Sequence, residues 1–381
     1  MMDAREQLGR FLNDAADSLD MPEHLRAQAE ERYKEVGRWL ADNGSPLQAN
    51  DPVIYPQGSA RLGTLTRPVT DRDECDIDAV ALLQLMKQSI SQQELKQRIG
   101  DRFKAHPEYR LILEEKRRCW TLNFEHGFHM DVLPAIPDAE GLPESILITD
   151  RELTRWQHSD PKGYADWFWS RMQVIFEEER RALAKALQAE IEEVPEWRVK
   201  TPLQRAIQLL KRHRDLHFRD DQDDKPASII ITTLAAWAYE GQPNLFDALV
   251  GMASTMPDHI ESQNGVYWVT NPVNPGENFA DKWKEHLLRR QKLLAWLDKV
   301  GTDLKALGDI RGIAEVTQAF GASFGQSVAM KAAKLLGDEI AQQRQSKRLW
   351  MAPGTGTLGT VGTTRVRNHT FYGCMAKAKM D

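Results

Sequence analysis

The spacing of hydrophobic residues predicts helices near the beginning of the chain and through its second half. Residues 3–45 carry apolar side chains at roughly helical intervals, most clearly from Leu25 to Leu40, and the pattern stops at Asn43. Beyond about residue 160 the same period dominates, and helices are predicted over 164–190, 201–217, 226–239, 280–300, 302–320 and 326–345. The second half of the chain is therefore expected to be a helical lobe.

Between these helical parts, residues 52–134 show the pattern of strands. Residues 76–83 form an apolar run whose only charges lie at its start, which is typical of a strand buried in a sheet. A short extended piece begins at Val53, a helix is predicted over 91–105, and further strands are predicted over 109–115, 119–125 and 128–134. This block is expected to form a small mixed sheet, so the fold class is α+β.

The pattern divides the chain into four segments. We expect N-terminal helices in residues 1–50, a sheet domain in 51–160, a helical lobe in 161–350 and a tail in 351–381. Residues 353–364 contain four glycines and five threonines, which is typical of a flexible tether. The aromatic patch His369–Gly373 that follows could fold back on the body of the protein or bind a partner, and the sequence leaves both open.

Composition limits the classes of protein to which the chain can belong. Hydrophobic residues make up 41% of the 381 residues and charged residues 28%, an ordinary mix for a soluble globular protein. No apolar stretch approaches the roughly 20 residues of a membrane helix, and the N-terminus lacks the features of a signal peptide. Three cysteines without a CxxC pair fit a cytoplasmic protein and argue against structural zinc. The net charge of -6 argues against a long nucleic acid as substrate, so a nucleotide substrate is expected to be small.

Three carboxylates are expected on one face of the predicted sheet. Asp76 and Asp78 lie two residues apart on one strand, so their side chains point to the same side. Asp131 lies on the later strand 128–134, and a neighbouring position in the sheet would bring it within reach of the other two. Like charges this close need a counter-ion, and such a set suits two divalent cations, Mg²⁺ or alternatively Mn²⁺. Asp131 could also act as the base for an attacking hydroxyl.

A turn at Gln57-Gly58-Ser59 lies upstream of these carboxylates. Glycine lets the backbone approach a phosphate closely, and the Ser59 hydroxyl and nearby N–H groups can donate hydrogen bonds to it. Taken singly, a Gly-Ser turn is usually a loop and an Asp-x-Asp pair is usually a surface feature. A Gly-Ser turn, an Asp-x-Asp on an apolar strand about seventeen residues later, and one Asp on a later strand together favour a catalytic site.

These motifs resemble the signature of the polymerase-β-like nucleotidyltransferase superfamily. The stretch from Pro56 to Thr64, together with Asp76 to Val80, is similar to the bacterial cGAS/DncV-like nucleotidyltransferases, or CD-NTases. Segments of the helical half are similar to the second lobe of that family: 209–215, 225–234, 271–272 and 277–283. The resemblance implies a palm-like mixed sheet with N-terminal helices and a helical second lobe, and a nucleotide cleft between the lobes.

The resemblance also assigns residues to a triphosphate. It implies that Lys211 contacts a donor triphosphate and that Ser228 helps to bind it; lysine suits phosphate, and Ser228 lies near a predicted helix start. Without the resemblance, Lys211 would be taken as a solvated residue of a basic run. Arg61 is a further phosphate candidate that could equally be a surface charge. Some histidines are expected to be structural or exposed, because magnesium prefers oxygen ligands: His129, His213 and His217.

The function that the resemblance implies is synthesis of a cyclic di- or trinucleotide second messenger in antiphage defence (CBASS). In this family a ribose hydroxyl attacks the α-phosphate of a ribonucleoside triphosphate, and pyrophosphate leaves. An adenine-containing product is expected, with ATP as the main substrate and GTP as an alternative. Some relatives act with HORMA-domain and AAA+ regulators or are modified at the C-terminus, so a protein partner could bind through the tail.

Two other functions remain open from the sequence. One is a different nucleotidyltransferase, which makes a linear oligonucleotide or adds nucleotides to RNA, although the acidic net charge argues against a long RNA. The other is a nucleotide-binding regulator without activity. The presence of all three carboxylates and the Gly-Ser turn favours an active enzyme over this second alternative.

Overall fold

A computed structural model describes residues 4–67, 75–124, 128–152, 155–187, 199–353, 358–360 and 362–367. The helices in this part of the chain are α1 (Ala4–Asp17), α2 (Glu23–Ala41), α3 (Gly58–Leu62), α4 (Gln92–Lys104), α5 (Tyr109–Ile112), α6 (Pro161–Ser170), α7 (Gln173–Leu187), α8 (Pro202–His217), α9 (Ser228–Ala238), α10 (Leu245–Thr255), α11 (Leu287–Asp309), α12 (Ile313–Phe324) and α13 (Gln326–Gln345). The strands are β1 (Val53–Pro56), β2 (Cys75–Leu82), β3 (Leu113–Glu115), β4 (Trp120–Phe124), β5 (Phe128–Pro137), β6 (Ile146–Ile148), β7 (Gln157–Ser159), β8 (Glu261–Gln263), β9 (Val266–Trp268), β10 (Thr270–Asn271), β11 (Asn274–Asn278), β12 (Trp350–Met351), β13 (Leu358–Gly359) and β14 (Thr364–Arg365).

A mixed sheet forms the first lobe, as the sequence predicts. Its strands are ordered β1-β2-β5-β4-β3, and β6 and β7 extend it from β5. The pair β2 and β5 is parallel, whereas the other pairs are antiparallel. One face of the sheet packs under α2 and α4, where Ala79, Val132 and Phe103 are buried in a common core. Successive residues of a strand point to opposite sides, so the opposite face carries Asp76 and Asp78 at the start of β2 and a smaller hydrophobic cluster around Val80 and Leu133 farther along.

The second lobe is a bundle of helices around a larger hydrophobic core. Aromatic side chains from four of its helices are almost fully buried there: Phe11, Phe168, Trp296, Phe320 and Phe324. Helix α1 packs into this bundle against α13, α10 and α8, whereas α2 packs on β1 of the sheet. The two N-terminal helices therefore lie on different lobes.

Helix α8 is the central element of the second lobe and is buried on nearly all sides. Its start is fixed by Thr201, whose hydroxyl accepts a hydrogen bond from the N–H of Gln204 while the Gln204 side chain accepts one from the N–H of Thr201. Pro202 at the first helical position adds a favourable backbone angle. Even its polar residues Gln208, Lys211 and Arg214 are buried, so each of them needs a partner inside the protein.

Three boundaries predicted from periodicity are wrong. The strand predicted over 109–115 begins with the helical turn α5, because the His106 ring accepts hydrogen bonds from the N–H groups of Glu108 and Tyr109. The helix predicted over 164–190 is divided between α6 and α7, and Arg171 at the break donates hydrogen bonds to the carbonyl groups at the end of α9. The predicted break near residue 301 is absent, since α11 continues to Asp309, and Gly312 with a φ of 103° separates it from α12.

Short strands in the second half of the chain are absent from the sequence-based prediction. The hairpin of β8 and β9 turns at Asn264 and Gly265, which both have positive φ, and this pair of residues is a standard hairpin signal. Part of the segment expected to be a flexible tether forms β13 and β14, which pair with β12. The aromatic patch at residues 369–373 lies outside the described residues. Among the described helices, none combines the length and the hydrophobicity that a bilayer crossing requires.

Replacement of Leu304 by alanine should destabilise the second lobe. Its side chain is fully buried on α11, and removal of its methyl groups leaves a cavity, so we expect the free energy of unfolding to fall by about 2–5 kcal/mol. Leu288→Ala on the same helix is the matched control, because Leu288 is 56% exposed and its loss should change stability by less than about 0.5 kcal/mol. Urea unfolding measures both, and equal losses would contradict the assigned core.

Candidate active site

Four polar side chains form a square on the open face of the sheet. In the parallel pair of β2 and β5, Asp76 lies opposite His129 and Asp78 lies opposite Asp131. Because residues two apart on a strand share a face, all four side chains point to the same side. The residue between the two on β5, Met130, points into the core instead. The structure thus brings together the three carboxylates that the sequence singles out.

Three of these four side chains have ligand atoms close enough to share one metal ion. One ligand atom from each of Asp76, His129 and Asp131 lies within 4.8 Å of the other two. The Nε2 atom of His129 is 3.3 Å from Oδ1 of Asp76. Asp76 is about half exposed and Asp131 is half-buried, so this set is open to ions from solvent.

Asp131 is held in place by a neighbour that sequence reasoning missed. Thr121 lies opposite Asp131 in the antiparallel pair of β4 and β5, and its hydroxyl donates a short hydrogen bond to Oδ1 of Asp131. Thr121 is only 1% exposed, so this hydroxyl has no solvent to compete for it. The contact fixes the orientation of the Asp131 carboxylate beside Asp76 and Asp78.

The electrostatics of Asp78 indicate a place for positive charge. Burial raises the pKa of Asp78 to about 7, and the negative charges of Asp76 and Asp131 add to the shift, while Lys211 and His129 oppose it. A divalent cation would relieve this repulsion, and carboxylate oxygens are the ligands that such cations prefer. The residues present therefore fit a divalent metal ion.

The turn at Gly58 approaches the carboxylates very closely. The N–H of Gln57 donates to the carbonyl of Asp78 at 2.9 Å, which attaches the turn to β2. Gly58 has a φ of 57°, and a Cβ atom at this position would lie 2.5 Å from Oδ2 of Asp78. Only glycine fits both the backbone conformation and the space. The chain thus places Ser59 and the first N–H groups of α3 beside Asp78.

A cleft of about 800 Å³ opens between the sheet and the helical lobe at this point. Its lining includes most of the site residues predicted from the sequence: Gly58, Ser59, Asp76, Asp78, Lys211 and Ser228. Arg67, Arg219 and Lys225 add positive charge to the same walls. A cleft of this size suits a nucleotide, and the cations suit its phosphates.

Lys211 is fully enclosed rather than solvated. Its amine donates hydrogen bonds to the carbonyl and the hydroxyl of Thr64, at 3.1 Å and 3.3 Å. Burial, and then the neighbouring Arg214 guanidinium, lower the pKa of the Lys211 amine to about 7, although nearby carboxylates oppose the shift. The structure places Lys211 at the wall of the cleft, with its position fixed by the segment after α3.

Ser228 is held by an arginine that the sequence did not single out. Nη1 of Arg214 donates to the Ser228 hydroxyl at 2.9 Å and to the carbonyl of Pro226 at 3.1 Å. The other edge of the same guanidinium donates to Oδ1 of Asp215 at 2.7 Å and 2.9 Å. Arg214 therefore connects α8 to the start of α9. Arg214 follows Lys211 by three residues, so both lie on the same face of the predicted helix, and this spacing could have identified Arg214 as a site residue.

Gln57 and Arg61 line a second, smaller cavity that also borders Asp78. This cavity has a volume of about 210 Å³ and shares Gly58 and Asp78 with the larger cleft. Tyr164, Asp160 and Glu277 form its far wall. The two residues are therefore near the carboxylates, but they do not line the cleft that contains Lys211 and Ser228.

His213 is structural in this fold, as the sequence analysis expects. The indole N–H of Trp296 donates to Nδ1 of His213 at 3.0 Å, and Nε2 of His213 contacts Asp303 at 3.1 Å. Burial raises the pKa of Asp303, but hydrogen bonds from His213, Lys299 and Ser323 outweigh it and hold the pKa well below its usual range. This network fixes α8 to α11 rather than facing the carboxylates.

Comparisons with known proteins give the same family for the whole chain. Residues 2–171 match the family model described as Second Messenger Oligonucleotide or Dinucleotide Synthetase domain. A relative from Roseivirga ehrenbergii, named c-di-GMP synthase, is 31% identical over 373 residues, which make up 97% of this chain and 98% of the relative. A relative from Bradyrhizobium diazoefficiens, named cyclic dinucleotide synthase CdnG, is 26% identical over 367 residues, 90% of this chain and 86% of the relative.

The fold comparison agrees with the sequence relatives. The solved structure of the Bradyrhizobium diazoefficiens CD-NTase CdnG in complex with GTP matches with a TM-score of 0.72 at 24% identity, and the match covers 87% of this chain and 99% of that chain. The resemblance first seen in the Gly58-Ser59 and Asp76-x-Asp78 motifs is therefore confirmed. The chain belongs to the CD-NTases, nucleotidyltransferases with a polymerase-β-like fold that synthesise oligonucleotide second messengers.

Proposed function

We propose that this CD-NTase joins two molecules of GTP into cyclic di-GMP. The observation that carries the proposal is the relative named c-di-GMP synthase, which aligns over nearly the whole length of both chains. A second relative is named a cyclic dinucleotide synthase, and the CdnG structure contains GTP. These names favour guanine and a ring of two nucleotides. The adenine-containing product expected from the sequence stays a prediction that the same assay tests.

The chemistry uses the carboxylate square and the Gly58 turn. In each of two steps the oxygen of a ribose hydroxyl forms a bond to the α-phosphorus of a triphosphate, and the bond from that phosphorus to pyrophosphate breaks. Asp131 takes the hydroxyl proton, and the hydrogen bond from Thr121 keeps its carboxylate in position. The second step closes the ring within the linear intermediate.

The triphosphate is held from two sides in this proposal. Ser59 and the first N–H groups of α3 donate to it from the sheet side, since Gly58 brings that backbone close to Asp78. Lys211 and Lys225 provide positive charge from the helical side of the cleft. Asp76, Asp78 and Asp131 would hold divalent cations, with Mg²⁺ as the first choice, which supply charge stabilisation to the hydroxyl and the leaving pyrophosphate. The catalysis is thus positioning and electrostatics, as in other phosphoryl transfers.

A regulatory partner remains a separate prediction. The tail expected to bind a HORMA-domain or AAA+ protein or a modifying enzyme lies largely outside the described residues, and a role of the product in antiphage defence stays a prediction. An enzyme that needs such a partner would show nucleotide binding without turnover when it is purified alone.

Product analysis tests the proposed function directly. The purified protein is incubated with Mg²⁺ and the four labelled ribonucleoside triphosphates, and products that survive phosphatase are identified by mass spectrometry. We expect cyclic di-GMP, formed with release of two pyrophosphates. A cyclic product that contains adenine would contradict the proposed bases, and a linear product with a 5′-triphosphate would contradict ring closure. If the protein binds nucleotide but forms no product, the assay is repeated with the proteins encoded by the neighbouring genes.

Loss of the paired carboxylates should abolish synthesis without loss of the fold. The variant Asp76→Asn, Asp78→Asn keeps the shape of both side chains but removes the negative charges that a cation needs, so we expect no detectable product. The control Glu30→Gln, Glu31→Gln removes the same number of charges from the exposed face of α2 and should retain full activity. Equal activity in the two double variants would contradict the assigned site.

A methyl group at Gly58 should disturb the site through Asp78. We expect Gly58→Ala to lower the turnover number by about 100-fold, because a shift of about 1 Å at reacting groups has an effect of that size. Gly241→Ala is the matched control: its φ is 84°, so it carries similar backbone strain, but nothing lies within 4 Å of the new methyl group. Initial rates of product formation at saturating GTP measure both. A loss in both variants would show that strain, rather than the contact with Asp78, is responsible.

A further inference from the structure

His129 is the one side chain of the square formed with Asp76, Asp78 and Asp131 that has no role in the proposed reaction. His129 lies on β5 directly opposite Asp76 and two residues before Asp131, so its ring is on the reactive face of the sheet. Its side chain is 26% exposed and that of Asp76, which lines the cleft, is 53% exposed, so both are accessible to an ion from solvent. From the sequence, a structural or exposed histidine is expected here.

The geometry around His129 matches that of a metal ligand. Its Nε2 atom is 3.3 Å from Oδ1 of Asp76, and an oxygen of Asp131 completes a set of three ligand atoms that lie within 4.8 Å of one another. Adjacent ligands of an octahedral ion with bonds of about 2.1 Å are about 3.0 Å apart, and opposite ligands are about 4.2 Å apart. The three atoms can therefore surround one ion with small adjustments of their side chains.

This arrangement differs from an ordinary histidine–carboxylate pair elsewhere in the sheet. His158 contacts Asp138 at 2.5 Å, but Asp138 is almost fully buried, and within the part of the chain that the structure describes no third ligand converges on the pair. Among the described residues, the set of Asp76, His129 and Asp131 is the one group of three or more such side chains with converging ligand atoms. His129 therefore differs from His158 in that its ring nitrogen lies near two carboxylates that could bind the same ion.

We propose that His129 is a direct ligand of a divalent cation in this site, together with Asp76 and Asp131, and that it shifts the preference of the site from Mg²⁺ toward Mn²⁺. The physical reason is the type of donor atom. Mg²⁺ strongly prefers oxygen ligands, whereas first-row transition ions accept imidazole nitrogen more readily. The inference rests on the proposed function only in that the carboxylates hold a cation.

Pulsed electron paramagnetic resonance of bound Mn²⁺ tests this ligand without any turnover. Mn²⁺ is added to the full-length protein in the absence of nucleotide, and the spin-echo modulation is examined for coupling to nitrogen-14 of a directly bound imidazole. We expect the coupling in the wild type and in His158→Gln, and its loss in His129→Gln. We also expect His129→Gln to bind Mn²⁺ at least about tenfold more weakly while its affinity for Mg²⁺ changes less.

Two results would overturn the proposal. Absence of nitrogen coupling in the wild-type protein rejects direct ligation by His129. This result does not depend on whether the variants fold. Coupling that survives in a folded His129→Gln, or in His129→Asn, assigns the nitrogen to another residue. Product formation from GTP by the same wild-type preparation tests the proposed function separately. An active enzyme without nitrogen coupling would contradict the assignment of His129 as a ligand but would leave the proposed function intact.

Discussion

Hydrogen bonds from one buried helix to the backbone after the Gly58 turn are the constraint on which the active site depends. Polar side chains on one face of α8 donate to the carbonyl groups of that segment: Gln204 to Leu62 at 2.9 Å, Gln208 to Leu65 at 2.8 Å, Lys211 to Thr64 at 3.1 Å and Arg212 to Arg67 at 3.0 Å. Their spacing of three and four residues puts the donors on one stripe of the helix. Because α8 is buried, each of these donors would cost free energy without its carbonyl partner, on the order of 1–3 kcal/mol. The segment is therefore fixed to the helical lobe, and the Gly58 turn is fixed with it.

This contact explains how two lobes with separate cores make one site. The sheet supplies the carboxylates through the register of β2 and β5, and the helical lobe supplies Lys211 and Arg214 from α8. The Gly58 turn is connected to both lobes. The N–H of Gln57 binds it to β2, and the carbonyl groups of the segment that follows it accept hydrogen bonds from α8. The buried cationic side chains of α8 thus stabilise the contact between the lobes. The same contacts hold their positive charges at the wall of the cleft. Lys211 shows both roles, since its amine is bonded to Thr64 and it lines the cleft.

Local pattern was enough to predict part of this arrangement. The period of two put Asp76 and Asp78 on one face, and the glycine and serine motif marked the turn, because both features are properties of a few neighbouring residues. The position of Asp131 beside Asp78 depends on a parallel pairing between strands that are far apart in sequence, and the partner Thr121 depends on a third strand. Helix α11 continues through Gly301 to Asp309 because tertiary packing buries Val300 and Leu304 on either side of that glycine, and a local pattern does not show this packing. The Asn264-Gly265 hairpin, in contrast, is readable from the sequence. The assignment of Lys211 and Ser228 came from family resemblance, and the contacts of Arg214 were visible only in the structure.

The central claim is that the carboxylate square and the Gly58 turn bind the metal ions and the triphosphate of one nucleotide together. The most direct measurement is the anomalous diffraction of crystals that contain Mn²⁺ and a nonhydrolysable GTP analogue. We expect an anomalous peak among Asp76, Asp78 and Asp131, with the triphosphate between that peak and the turn at Gly58 and Ser59. A metal peak away from these carboxylates, or a triphosphate bound elsewhere in the protein, would contradict the account.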